Sequence, residues 1–113
     1  MTDIRAHLSF LSISAQKVRL VVDLVRGKNA NDALDMLRFV PNQAAVPVRK
    51  LLVSAVANAE ENFAISRDDL FVATIFANEA PTRKWRRFGA RGRFKPLLRR
   101  SSHVTIVLRE REA

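Results

Sequence analysis

Apolar residues recur at two spacings along the chain. In Ile4–Leu11 they alternate: Ile4, Ala6, Leu8 and Phe10 fall on one side, and Arg5, His7 and Ser9 on the other. That period predicts a short strand with one buried face. From Lys17 to Arg26 the period becomes helical. Val18, Val21, Val22 and Val25 form a stripe that Leu20 and Leu24 widen, while Gln16, Arg19, Asp23 and Arg26 take the opposite side. Ser14 stands where an N-cap is expected, and Gly27 suits the left-handed position that ends a helix. A second helix starts at Asn29, with Asp32 completing an approximate capping box. Leu34, Met36 and Leu37 supply its apolar side, and it stops before Pro41. Asn42 caps a third helix running to about Asn62, with Ala45, Val48, Leu52, Ala55, Val56 and Ala59 as its stripe. Pro47 falls near its first turn, where a missing amide is tolerated.

Glu61–Asp69 is polar and reads as a loop. Leu70–Ala77 and Val104–Leu108 are rich in β-branched and aromatic residues and read as strands. The order is strand, three helices, strand, ribbon, strand. Helices grouped between strands, without a βαβ rhythm, predict an α+β fold. The expected architecture is a small antiparallel three-stranded sheet packed on three helices, with a long protruding basic β-hairpin. At 113 residues this is one domain. Residues 1–79 and 101–113 would form the globular body, and residues 80–100 the extended hairpin.

Charge sharpens that division. The net charge is +9, from 20 basic and 11 acidic residues. Ala80–Arg109 holds ten of the bases and no acid, which leaves ten bases and eleven acids, a net of −1, elsewhere. A nearly neutral domain therefore carries one cationic segment, and such asymmetry points to a polyanion, usually nucleic acid. Its centre, Pro81–Arg100, reads PTRKWRRFGARGRFKPLLRR. The flanking strands and the glycines Gly89 and Gly92 predict a hairpin with its tip near them. Two arms of about 12 residues, at roughly 3.3 Å each, would reach about 40 Å. The candidate RNA-binding residues are Arg83, Lys84, Arg86, Arg87, Arg91, Arg93, Lys95, Arg99 and Arg100. Arginine's planar fork binds phosphate through two donors. The interleaved Trp85, Phe88 and Phe94 suit stacking on unpaired bases.

Catalytic chemistry finds no support. The chain has no cysteine, which excludes disulfides, thiolate metal sites and cysteine nucleophiles. His7 and His103, each in or beside a predicted strand, make neither a triad nor a metal site without an acid or thiol near them. Glu60-Glu61 and Asp68-Asp69 are sequence neighbours rather than a converging carboxylate pair. No Walker or GxGxxG pattern occurs. The expectation is no enzyme, no metal and no cofactor. No apolar run approaches the roughly 20 residues that span a bilayer, so a soluble cytoplasmic protein is expected.

Three long segments carry a family resemblance: SAQKVRLVVDLVRGK at 14–28, AVANAEEN at 55–62 and RSSHVT at 100–105. With Gly92-Arg93 at the ribbon tip, they resemble bacterial-type large ribosomal subunit protein twenty-two over almost the whole chain. The resemblance implies a structural constituent of the large ribosomal subunit that binds large-subunit rRNA and aids its assembly. It further implies a tip (Phe88, Gly89, Ala90, Arg91, Gly92, Arg93) that helps line the nascent-peptide exit tunnel. Implied partners are large-subunit rRNA, neighbouring ribosomal proteins including protein four at the tunnel constriction, and the transient nascent peptide, with no membrane and no homo-oligomer. Lys17, Arg19, Arg26, Lys28 and His103 match family positions and would be further rRNA contacts from the body. The chain departs from the family pattern at Ala80, Trp85, Phe88, Gly89 and Phe94. Two competing readings are a DNA-architectural protein, whose basic arms would wedge a Phe between base steps, and an RNA-modifying enzyme. The latter would need a cofactor loop or acid/base cluster that the sequence lacks.

Overall fold

All four valines of the first predicted helix are buried, on one side of α1 (Ala15–Val25). The computed structural model describes the whole of residues 3–81 and 100–111 and the backbone of residues 83–88 and 94–99. Leu20 and Leu24, expected to widen the valine stripe, instead point outward at 64% and 46% exposure. The valines, with Ala15, form the buried side of α1. Ser14 stands at the N-cap with extended backbone, but its hydroxyl makes no cap hydrogen bond. Gly27 takes the expected positive φ, +80°.

The second helix, α2 (Ala30–Phe39), buries Ala30, Ala33 and Leu37. Its expected capping box does not form. The Asn29 side chain caps no amide; its amide group donates to the Asp32 carboxylate at 3.4 Å. The third, α3 (Ala45–Phe63), buries all six residues of its predicted stripe and Leu51 besides. Asn42 Oδ1 accepts from the Ala44 amide at 2.9 Å, so it serves the start of α3 from two residues before the N-cap. The helix runs unbroken through Pro47, whose position in the first turn needs no amide donor. It ends at Ala64, in the left-handed region at φ +53°. Without a glycine, that conformation costs about 1–2 kcal/mol. The segment expected as a loop is therefore more ordered: α3 enters it, and a 3-10 turn spans Arg67–Asp69.

Three strands form one antiparallel sheet in the order β1–β5–β2, namely β1 (Asp3–Leu11), β2 (Leu70–Glu79) and β5 (Ser102–Glu110). Both β2 and β5 are longer than their apolar centres predicted, because the ladder carries polar ends such as Asn78 opposite His103 and Glu79 opposite Ser102. The fold is thus α+β as expected. α3 lies across β1 and β5, and α1 along β2, so the helices cover one face. Their shared core includes Ile4, Val22, Leu52, Val72, Ile75, Ile106 and Leu108.

Two irregularities shift strand phase. A register shift lies between Leu8 and Leu11 of β1. Within it Phe10 adopts φ +55° and is 62% exposed. The alternation that assigned Phe10 to the buried side thus ends at Leu8, and Leu11 packs on the core instead. A bulge in β2 between Val72 and Thr74 lets Val72 and Ile75 share the core face. A separate two-stranded ladder pairs β3 (Arg83–Phe88) with β4 (Phe94–Arg99), from Arg83 opposite Arg99 to Phe88 opposite Phe94.

Candidate nucleic-acid interface

The cationic segment leaves the body where β2 and β5 end. The Ala80 amide donates to the Ser101 carbonyl at 3.0 Å, and the Ser101 hydroxyl to the Pro81 carbonyl at 3.4 Å. The buried Ser102 hydroxyl donates to the Ile13 carbonyl at 2.9 Å, tying this corner to the segment before α1. A shallow cleft beside it is lined by Ser14, Gln16, Glu79, Arg100 and Ser101. Arg100 is exposed.

Beyond this corner only backbone pairing is described for Arg83, Lys84, Arg86, Arg87, Phe88, Lys95 and Arg99. Their side chains lie outside the described residues, as do those of Trp85 and Phe94. The tip residues Gly89, Ala90, Arg91, Gly92 and Arg93 lie outside the described residues entirely.

On the body, the predicted RNA-facing residues divide by environment. Lys17 and Lys28 are exposed. Arg19 and Arg26 reach from α1 to the outer edge of β2. Arg19 Nε donates to the Ala77 carbonyl at 3.1 Å, and Arg26 Nη2 to the Ile75 carbonyl at 2.8 Å. Arg26 Nη1 also pairs with Asp23 at 2.7 Å. Next along this edge, the Gly27 amide donates to the Val72 carbonyl, and the Val72 amide to the Lys28 carbonyl, both at 2.9 Å. An unpaired strand edge is a template for unwanted pairing. The end of α1 and its two arginines cover this one.

His103 lies on the sheet face opposite the helices, touching Phe10, which the alternation had assigned to the buried side, and His7. Its Nδ1 accepts from the Phe10 amide at 3.1 Å, which places the neutral ring's proton on Nε2. The Phe10 ring meets the His103 ring edge-on, with centroids 4.7 Å apart. The His7 ring lies 5.8 Å from His103, so the two histidines are neighbours as their strands allowed. His7 Nδ1 and Thr105 Oγ1 share a 2.9 Å hydrogen bond. The register sets Thr105 between His7 and Phe76, Val107 between Arg5 and Thr74, and Arg109 between Asp3 and Phe71. Asp3 and Arg109 form an ion pair at 2.6 Å. The Arg109 guanidinium bonded to Asp3 holds its carboxyl below the usual carboxylate range, and the carboxylate raises the arginine in return. The signal for this face was the polar alternation Arg5, His7 and His103, Thr105; seeing its use requires strand order.

Among the described residues, no group of three or more His, Asp or Glu side chains could hold a metal ion, and no helix is long and apolar enough to cross a membrane.

Two comparisons bear on this arrangement. A family model described as ribosomal protein L22p/L17e matches residues 6–109. The large ribosomal subunit protein uL22 of Pediococcus pentosaceus is 45% identical over 112 residues, a span covering 99% of this chain and 95% of that protein.

Proposed function

The chain belongs to the ribosomal protein L22p/L17e family, and from that premise we propose that it is a non-catalytic constituent of the large ribosomal subunit that binds large-subunit rRNA. The observation that carries the reading is the division of charge: ten bases and no acid in Ala80–Arg109, against a net of −1 elsewhere. Residues 80–100 act as one protruding ribbon on a body made of 1–79 and 101–113. The closure of Ala80 on Ser101 and the pairing of β3 with β4 support that division.

The mechanism is electrostatic and geometric. Arg83, Lys84, Arg86, Arg87, Arg91, Arg93, Lys95, Arg99 and Arg100 neutralise phosphates from RNA segments distant in sequence, and so hold them together during assembly. Each phosphate engaged releases counterions. Residues 88–93 help line the nascent-peptide tunnel beside ribosomal protein four. From the body, exposed Lys17 and Lys28 engage further phosphates. Arg19 and Arg26 retain guanidinium donors beyond those given to β2. His103 faces RNA from the open sheet. The protein works as a single copy, in the cytoplasm.

The test compares the full chain with a form lacking Thr82–Leu98, which removes seven cations. Binding to a bacterial large-subunit rRNA transcript is followed across a salt series. The deletion is expected to weaken binding and to flatten the log–log salt slope by about 0.7–0.9 for each phosphate that is no longer neutralised. Unchanged affinity and slope, with the body folded by circular dichroism, would defeat the reading.

A further inference from the structure

Phe10 combines three features that packing does not require together. Its backbone is in the left-handed region, which a bulky side chain rarely adopts. Its ring is 62% exposed. And it is held from two sides by His103, through the amide-to-Nδ1 bond and the edge-on ring packing. Strain kept at one residue to display an aromatic ring in solvent marks a position shaped for a ligand. We infer that Phe10, braced by His103 with His7 beside it, is a stacking platform for one unpaired RNA base on the open face of the sheet; this rests on the rRNA reading above and adds a second binding site to it.

The surroundings select the occupant. The rows of this face carry Arg5, His7, His103 and Arg109, with Asp3 at the far end from Phe10 and already paired with Arg109. Apolar side chains on this face are interrupted by polar ones: Phe76 is in register with Thr105, Phe71 with Arg109, and Val107 lies between Arg5 and Thr74. A face so broken by polar groups lacks the contiguous apolar centre of a protein–protein interface. A flat ring beside two imidazoles, with Arg5 further along the same face, suits a nucleotide, the base stacked on the ring and the phosphate met by polar side chains. The platform is also continuous with the cationic segment, since His103 follows Arg100 by three residues on the strand that leads out of it.

The test uses the full chain in wild-type, Phe10→Leu and Phe10→Trp forms, each checked for folding by circular dichroism. Binding is measured to a bacterial large-subunit rRNA transcript and to a fully paired RNA duplex. Loss of one stacked base predicts that Phe10→Leu binds the transcript about 5- to 150-fold more weakly. Phe10→Trp should bind like wild type. All three should bind the duplex equally and show the same salt slope on it, because the ribbon is untouched. Equal transcript binding by Phe10→Leu and wild type would overturn the platform while leaving the rRNA reading intact. Failure of wild type to bind the transcript would overturn both. A Phe10→Leu chain that binds transcript normally but fails to enter subunits would show that the ring holds a protein neighbour, and would also overturn the proposal.

Discussion

Arg26 Nη2 donates to the backbone carbonyl of Ile75 at 2.8 Å, so the side chain that follows the last residue of α1 covers the edge strand of the sheet. Arg19, about two turns earlier, does the same at Ala77. Arg26→Ala is expected to destabilise the body by about 1 kcal/mol, a modest figure because the side chain is half exposed. In a domain of this size that lowers Tm by roughly 4 °C. Arg26→Lys should recover only part, since an ammonium lacks the planar fork that spans Asp23 and Ile75. Unchanged Tm in Arg26→Ala would show that the edge is held without it.

Leu52 and Leu20 are both helix leucines with opposite environments, at 0% and 64% exposure. Leu52→Ala should cost about 2–5 kcal/mol, from reduced burial plus the cavity left in the α3–sheet core. Leu20→Gln should change stability by less than about 0.5 kcal/mol. Urea denaturation of the two variants checks the pair. Similar losses in both would mean that the outer side of α1 is covered in the folded chain.

Ala64 ends α3 in the left-handed region, where glycine carries no Cβ penalty. Ala64→Gly is expected to stabilise by about 0.5 kcal/mol, the relief being partly offset by the greater freedom of glycine in the unfolded chain. A lower urea midpoint at unchanged m-value would contradict this.

Asp3 is paired with Arg109, and its carboxyl is held below the usual range. The folded chain therefore binds the Asp3 proton less readily than the unfolded chain. The resulting stabilisation is fully present above the unfolded value, about 3.9, and is lost as pH falls through the lower folded value. Asp3→Asn should remove this part of the acid-side slope, most visibly below about pH 4, while leaving the shape of the curve above about pH 6 unchanged. The same slope in both proteins between about pH 2 and 5 would mean that the pair adds nothing.

The valine stripe of α1 and the alanine-rich stripe of α3 were legible because helical periodicity is local: Val18, Val22, Leu52 and Ala59 are all buried as their spacing implied. What was not legible depends on partners distant in sequence. Leu20 and Leu24 belong to a second face that no element covers among the described residues, and only the packing of α1 along β2 reveals that. Phe10 continues the alternation of Ile4, Ala6 and Leu8, but the register shift against β5 turns it outward. Arg19 and Arg26 read as free cations because spacing along a helix does not disclose the strand edge beside it. The charge asymmetry of residues 80–109 needed no structure at all, and the family match spans 6–109.

The most direct test of the central claim is sedimentation of a cell lysate containing the tagged full chain, at moderate and then high salt. The account predicts that the protein migrates with the large ribosomal subunit in both gradients. Recovery at the top of the gradient, or with nucleoid DNA, would contradict it.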